Sequence, residues 1–171
     1  MNAAGIALIG APGAGKTTVG RRVATLLELP FVDVDAVIEA RFEAPLREIF
    51  AEQGESRFRE VERAASLDAL TRTGAVVALG GGSVLDADVA AALEPWRVVW
   101  LQVSAAQASR RLGLNQAGGL VLGNIRSRLI HQLADRTAVY ERLATITVDT
   151  DRTGVAAVVE HITRELREED R

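Results

Sequence analysis

The 171 residues are 48% hydrophobic and 25% charged, with a net charge of −3, the balance of one globular domain with a substantial core. Cysteine is absent, which excludes disulfides, thiolate zinc sites and cysteine nucleophiles, and no apolar run approaches the ~18 residues of a membrane span. An isoelectric point near 5.5 without a basic run argues against nucleic-acid or membrane-surface binding, and a first apolar run with no basic region ahead of it makes a cytoplasmic protein the expectation.

Residues 5–9, GIALI, read as a short buried strand. GAPGAGKTT follows at 10–18 and holds the chain's single lysine, Lys16; every other basic residue is arginine. Gly10, Gly15, Lys16 and Thr17 fit G-x-x-x-x-G-K-[ST], the phosphate-binding loop. In such a loop glycines let backbone N–H groups turn toward phosphate oxygens, and the next helix directs its positive end there. A compact ammonium reaches the phosphates as a point charge where a planar guanidinium is too bulky, and the Thr17 hydroxyl is available to Mg²⁺. The bare alternative is a glycine-rich turn without a ligand. Val19, Val23, Leu26 and Leu27 at helical spacing, with Pro30 closing the segment, supply the strand–loop–helix context the motif requires.

Further strands are predicted at 31–33, 75–79, 97–103 and 145–149. Helices are predicted at 16–28, 36–43, 46–53, 55–72, 86–93, 104–112, 125–142 and 154–168. Short apolar strands alternating with helices predict an α/β fold with a five-stranded parallel sheet covered on both faces. Residues 113–124, GLNQAGGLVLGN, have no clear period, and beside a phosphate loop a lid is expected of them.

Four other stretches could carry chemistry. FVDVDAV (31–37) ends a strand with Asp33 and Asp35, read as two acids on one side of it. One could hold Mg²⁺ through water and the other could take a proton from a hydroxyl, or Asp35 merely caps the next helix. ALGGGSV (78–84) places Gly80, Gly81 and Gly82 after a buried strand, where a ligand could lie on bare backbone; a flexible turn before a helix capped by Ser83 or Asp86 is the alternative. ESRFREVE (55–62) carries Arg59 and Glu62 on a helix, with Glu55 placed to pair Arg59 in solvent. Arg136 in ADRTAVYERLA is equally ambiguous, since either arginine could clamp a carboxylate. His131 and His161 lack metal-spaced partners, and Trp96 and Trp100 flank an apolar strand as packing residues.

Taken in order, GAPGAGKTT, DVD, FRE-VE, LGGG and DRTAVYERLA resemble shikimate kinase along essentially the whole chain, LGGG in place of a Walker B aspartate being the most specific mark. The resemblance implies a P-loop kinase three-layer fold with a lid, using ATP and Mg²⁺ to phosphorylate the 3-hydroxyl of shikimate, as a monomer with no nucleic-acid or membrane partner. It implies that Gly13, Ala14, Gly15, Lys16, Thr17 and Thr18 hold the nucleotide phosphates, with Arg111 and the loop near Arg152 sandwiching adenine. Thr17 and, through water, Asp33 would meet the metal, and Asp35 would bind the hydroxyls and receive the proton. Arg59, Gly80, Gly81, Gly82 and Arg136 would hold the substrate's carboxylate and ring, with Phe50 and Phe58 walling the pocket. Substrate helices are expected over about 34–63 and a lid over about 113–124.

The chain departs from the pattern in two places. Similar enzymes usually carry arginine then proline in the lid, where this sequence has Gly118 and Gly119, so a reduced turnover is expected. Gly154-Val155 stand where related enzymes often place a proline. Two other readings keep the phosphate loop: a related gluconate or nucleotide monophosphate kinase, and a catalytically weak nucleotide-binding regulatory relative.

Overall fold

The computed structural model describes residues 4–113 and 119–169. Five strands form one wholly parallel sheet: β1 (Ile6–Ile9), β2 (Phe31–Asp33), β3 (Val76–Ala78), β4 (Arg97–Gln102) and β5 (Ile146–Asp149). Their order is β2-β3-β1-β4-β5. β1 lies at the centre, with Ile6 opposite both Val76 and Arg97. The sheet order changes direction beside β1, which in such sheets opens a crevice outside the carboxyl ends of the strands. The phosphate loop leaves β1 into that crevice.

Helices cover both faces: α1 (Lys16–Leu27), α2 (Val34–Phe42), α3 (Leu46–Gln53), α4 (Glu55–Leu70), α5 (Ala87–Ala92), α6 (Ala105–Arg111), α7 (Gly119–Leu143) and α8 (Val155–Glu169). Alternation along the strands sorts the core into two layers. Ala7, Ile9, Val77, Val98 and Trp100 face Ile38, Val61, Leu93 and Tyr140, whereas Leu8, Val76, Val99 and Leu101 face Val19, Val23, Val158 and Ile162. Trp96 and Trp100 are both buried, as their flanking of an apolar strand predicts.

Element bounds agree with the sequence patterns to within a residue or two, with one larger difference. The described part of α7 already includes Gly119, six residues before the predicted start, so residues 119–124 of the expected lid belong to a helix. Gly119 and Gly123 in an otherwise apolar run break the polar–apolar alternation by which a helix is recognised. Gly118 and the rest of the 114–118 part of the lid lie outside the described residues.

Candidate active site

Gly15 caps α1 from the left-handed region, with φ near 95°. That conformation costs an L side chain energy and glycine almost none, and it turns the chain from loop into helix within one residue. Lys16, the first residue of α1, is buried, and its Nζ donates to the carbonyls of Gly10 (2.8 Å) and Ala11 (3.0 Å). Burial lowers its pKa to about 8, although Asp35 and then Asp33 pull it back upward. An ammonium held by loop carbonyls is poised to exchange them for phosphate oxygens. Gly13, Ala14 and Gly15 line the loop at this point, and Thr17 and Thr18 stand exposed on the first turn of α1.

The acidic pair departs from the sequence expectation in how the two acids are related and in which of them caps the helix. β2 ends at Asp33, so strand alternation does not relate the two acids. Asp33, and not Asp35, caps α2: its Oδ1 accepts from the Ala36 N–H at 3.3 Å, while Oδ2 accepts from the Thr17 hydroxyl at 2.5 Å. Asp35 sits in the first turn of α2. Burial raises its pKa to about 6, with Lys16 opposing the rise. It is a carboxylate free of capping duty and tuned toward neutral pH, which is what a general base requires.

The three glycines after β3 are explained by close approach rather than by unusual backbone angles. A Cβ at Gly80 would stand 3.1 Å from Asp35 Oδ1 and 2.9 Å from Ser83 Oγ, and would overlap the Glu62 carboxylate. At Gly81 it would meet the Pro12 ring at 2.8 Å and Arg136 Nη1 at 3.3 Å, and at Gly82 it would overlap the Arg59 guanidinium. The glycine run is therefore a bare surface against which two acids and two arginines converge. A simple flexible turn does not account for it. The helix that follows is capped by Asp86, which accepts from the N–H groups of Asp88 and Val89.

Arg59 pairs with Glu62 one turn on, at 2.5 Å, rather than with Glu55. Its guanidinium carbon lies 5.6 Å from the Phe58 ring centroid, and Phe58 meets Phe50 edge-to-face at 5.4 Å. Arg136, on α7, is only 6% exposed. Among the described residues it makes no ion pair, which is rare for a buried guanidinium. Tyr140 follows on the same helix face and donates to the Gly81 carbonyl at 2.5 Å, fastening α7 to the glycine run.

On the other side of the loop, Arg111 donates to the carbonyls of Gly13 (3.1 Å) and Ala14 (3.4 Å) and to the Thr150 carbonyl (2.5 Å) and hydroxyl (3.0 Å). Beside it a cavity of about 350 Å³ is walled by Gly15, Thr18, Arg111, Thr153, Gly154 and Val155. Arg152 is exposed on the same loop and does not line that cavity. His131 is exposed on α7, and the His161 ring contacts Arg164. Among the described residues no group of three or more acids or histidines is placed to cage a metal, and no helix is long and apolar enough to cross a membrane.

Sequence reasoning gave no role to Glu62, Tyr140 or Thr150. Glu62 was visible as the i+3 neighbour of Arg59. Nothing local marks Tyr140 or Thr150, because each acts on a residue at least 39 positions away.

A family model described as shikimate kinase matches residues 12–167. A shikimate kinase of Thermobifida fusca is 46% identical over 93% of this chain and 92% of its own length. One from Mycobacterium avium is 44% identical over 93% and 91%. Among solved structures, a shikimate kinase from Acinetobacter baumannii in complex with shikimate superposes with a TM-score of 0.87 at 29% identity, covering 98% of this chain and 94% of that one.

Proposed function

The chain belongs to the shikimate kinase family, and from that premise we propose how its residues divide the transfer of a phosphoryl group from ATP to the 3-hydroxyl of shikimate. Arg136, buried and without an ion pair among the described residues, carries the reading. It needs an anion, and with Arg59 beside it across the glycine run it suits the substrate's carboxylate in bidentate fashion. Phe50 and Phe58 wall the ring, and Gly80, Gly81 and Gly82 let it lie close to backbone. Asp35 accepts hydrogen bonds from the hydroxyls at the far end, which sets the 3-hydroxyl in line with the γ-phosphate.

As the substrate oxygen bonds to phosphorus and the bond to the ADP oxygen breaks, the hydroxyl proton passes to Asp35. Lys16 leaves the Gly10 and Ala11 carbonyls for the phosphoryl oxygens, where charge is redistributed in the transition state. Positioning and charge neutralisation, more than covalent chemistry, carry such a reaction. Gly13, Ala14, Gly15, Thr17 and Thr18 cradle the phosphates. Arg111 forms one wall of the nucleoside cavity, and residues 153–155, rather than Arg152, face it.

Mg²⁺ fits the donor set at Thr17 and Asp33, a hydroxyl and a carboxylate already in contact. These are hard oxygen ligands of the kind that hold Mg²⁺ together with water and substrate phosphates. When bound, it would neutralise phosphate charge. The helices over about 34–63 form the substrate side and residues 113–124 the lid, in a cytoplasmic monomer. The gluconate-like and regulatory readings lack a feature that demands two arginines and three glycines at one place.

The test is direct. Phosphate transfer from ATP should occur with shikimate and not with gluconate or nucleotide monophosphates, and Arg136→Ala should lose shikimate affinity while keeping that for ATP. Transfer to gluconate in preference to shikimate would refute the reading.

A further inference from the structure

We infer that Thr150 is a positioning residue for the nucleotide, holding Arg111, and through it the phosphate loop, in the arrangement that receives a triphosphate. The inference rests on the reading of the Arg111 cavity as the nucleotide site.

Thr150 directly follows β5 and is 4% exposed. Its N–H and its hydroxyl both donate to the Gln102 carbonyl at the end of β4, at 3.0 and 2.8 Å. A hydroxyl has one proton and two lone pairs. With the proton committed to Gln102, the lone pairs face Arg111, whose Nη1 donates to Oγ1 at 3.0 Å while Nη2 donates to the Thr150 carbonyl at 2.5 Å. One threonine thus grips both ends of a guanidinium fork from a fixed point on the sheet.

The same Nη1 reaches the carbonyls of Gly13 and Ala14. A peptide unit is planar and trans, so a carbonyl drawn one way sends the N–H of the same unit the other way. The Gly13–Ala14 unit spends its N–H on the Ala11 carbonyl, closing the turn at 3.1 Å. Holding the Ala14 carbonyl directs the Gly15 N–H to the loop's opposite side. Arg111 has an otherwise exposed side chain with many rotamers, and without the acceptor at Thr150 Oγ1 its Nη1 would keep only the two loop carbonyls and its plane would be held less firmly. Both the cavity wall and the loop's donors would lose definition together. Gln107 ties the same two segments, donating to the Asp151 carbonyl at 2.8 Å, so the fold itself does not depend on Thr150 alone.

Thr150→Val keeps the shape and removes the hydroxyl; Thr150→Ser keeps the hydroxyl. Calorimetric ATP affinity should weaken about tenfold in the valine variant, as expected for losing a hydrogen bond to a charged group. KM for ATP should rise in step, KM for shikimate should stay within about twofold, and serine should restore ATP affinity. In an Arg111→Met background the valine change should add nothing, because the two act as one unit. Unchanged ATP affinity in Thr150→Val overturns the inference, as does an equal loss for both substrates accompanied by a lowered Tm. If the valine variant does not fold, Thr150→Ala set against Thr150→Ser carries the same comparison. A wild type that transfers nothing to shikimate would sink the proposed function while leaving the ATP-affinity comparison standing. A wild type of normal turnover with an unaffected valine variant would sink only the role of Thr150.

Discussion

The carboxylate of Glu62 is buried to 5% side-chain exposure and its one ion pair among the described residues is Arg59, at 2.5 Å. A charge so placed is tolerable only with its partner. Arg59→Ala should therefore do two things. Shikimate affinity should fall by one to two decades, corresponding to about 1.5–3 kcal/mol for a charge-assisted contact. Stability should also fall by about 3 kcal/mol, the low end for breaking a buried pair because Arg59 itself is partly solvated. Adding Glu62→Gln should return much of the melting temperature without returning the affinity. A double variant that recovers neither, or both, would show that the pair does not separate holding from folding.

Buried Lys16 and half-buried Asp35, which oppose each other's shifts, set the pH response. In the proposed mechanism the free enzyme needs Asp35 ionised and Lys16 charged, so kcat/KM for phosphoryl transfer should form a narrow bell with limbs near 6 and 8. The same shifts act on stability with definite signs. Between about pH 3.8 and 6 the folded protein holds a proton on Asp35 that the unfolded chain releases, so stability falls as pH rises. Between about pH 8 and 10.5 the unfolded chain holds the Lys16 proton that the folded state has released, so stability rises with pH. Asp35→Asn should erase the acid limb along with most turnover. An unaltered acid limb in that variant would assign it to another group.

Lys16→Met should abolish transfer while leaving the fold intact, with turnover falling far more than nucleotide affinity, because the charge is needed most in the transition state. Lys16→Arg should be impaired as well. The ammonium sits between two carbonyls 2.8 and 3.0 Å away, a space for a point charge and not for a planar fork. Steady-state kinetics with either variant near wild type would remove the explanation for the single lysine.

The resemblance to shikimate kinases leads us to expect Gly118 and Gly119 where those enzymes carry an arginine and a proline. Arginines on a transferring phosphate contribute about 10³–10⁵ in rate where they have been measured. Gly118→Arg with Gly119→Pro should raise turnover at least about tenfold, or ~1.4 kcal/mol of barrier. A fast native enzyme unchanged by the pair would mean that another arginine already fills the role.

What could be read in the sequence follows from the range over which each signal acts. The phosphate loop is contiguous, so the strand before it, the loop and the helix after it could all be read from residues 5–27. The sheet was visible as apolar runs because parallel strands are buried on both faces. Three glycines marked a close approach without saying to what; the answer, Arg59, Glu62 and Arg136, lies on two distant helices. Asp33 and Asp35 were recognised as a pair but not how they are related: alternation holds only while the strand lasts, β2 stops between them, and the cap falls to Asp33. Thr150 left no local mark, because its partners lie 39 and 48 positions away.

Because the remaining basic side chains are all arginine, amine-directed reagents find a single side-chain target in this protein besides the α-amino group. That target has its pKa lowered to about 8, so a useful fraction is uncharged and nucleophilic under mildly alkaline conditions. Bound phosphates would occupy the ammonium and close it to acylation. The mass gained at Lys16 after a brief exposure to an acylating reagent thus becomes a gauge of nucleotide occupancy, readable in a mixture and without following turnover.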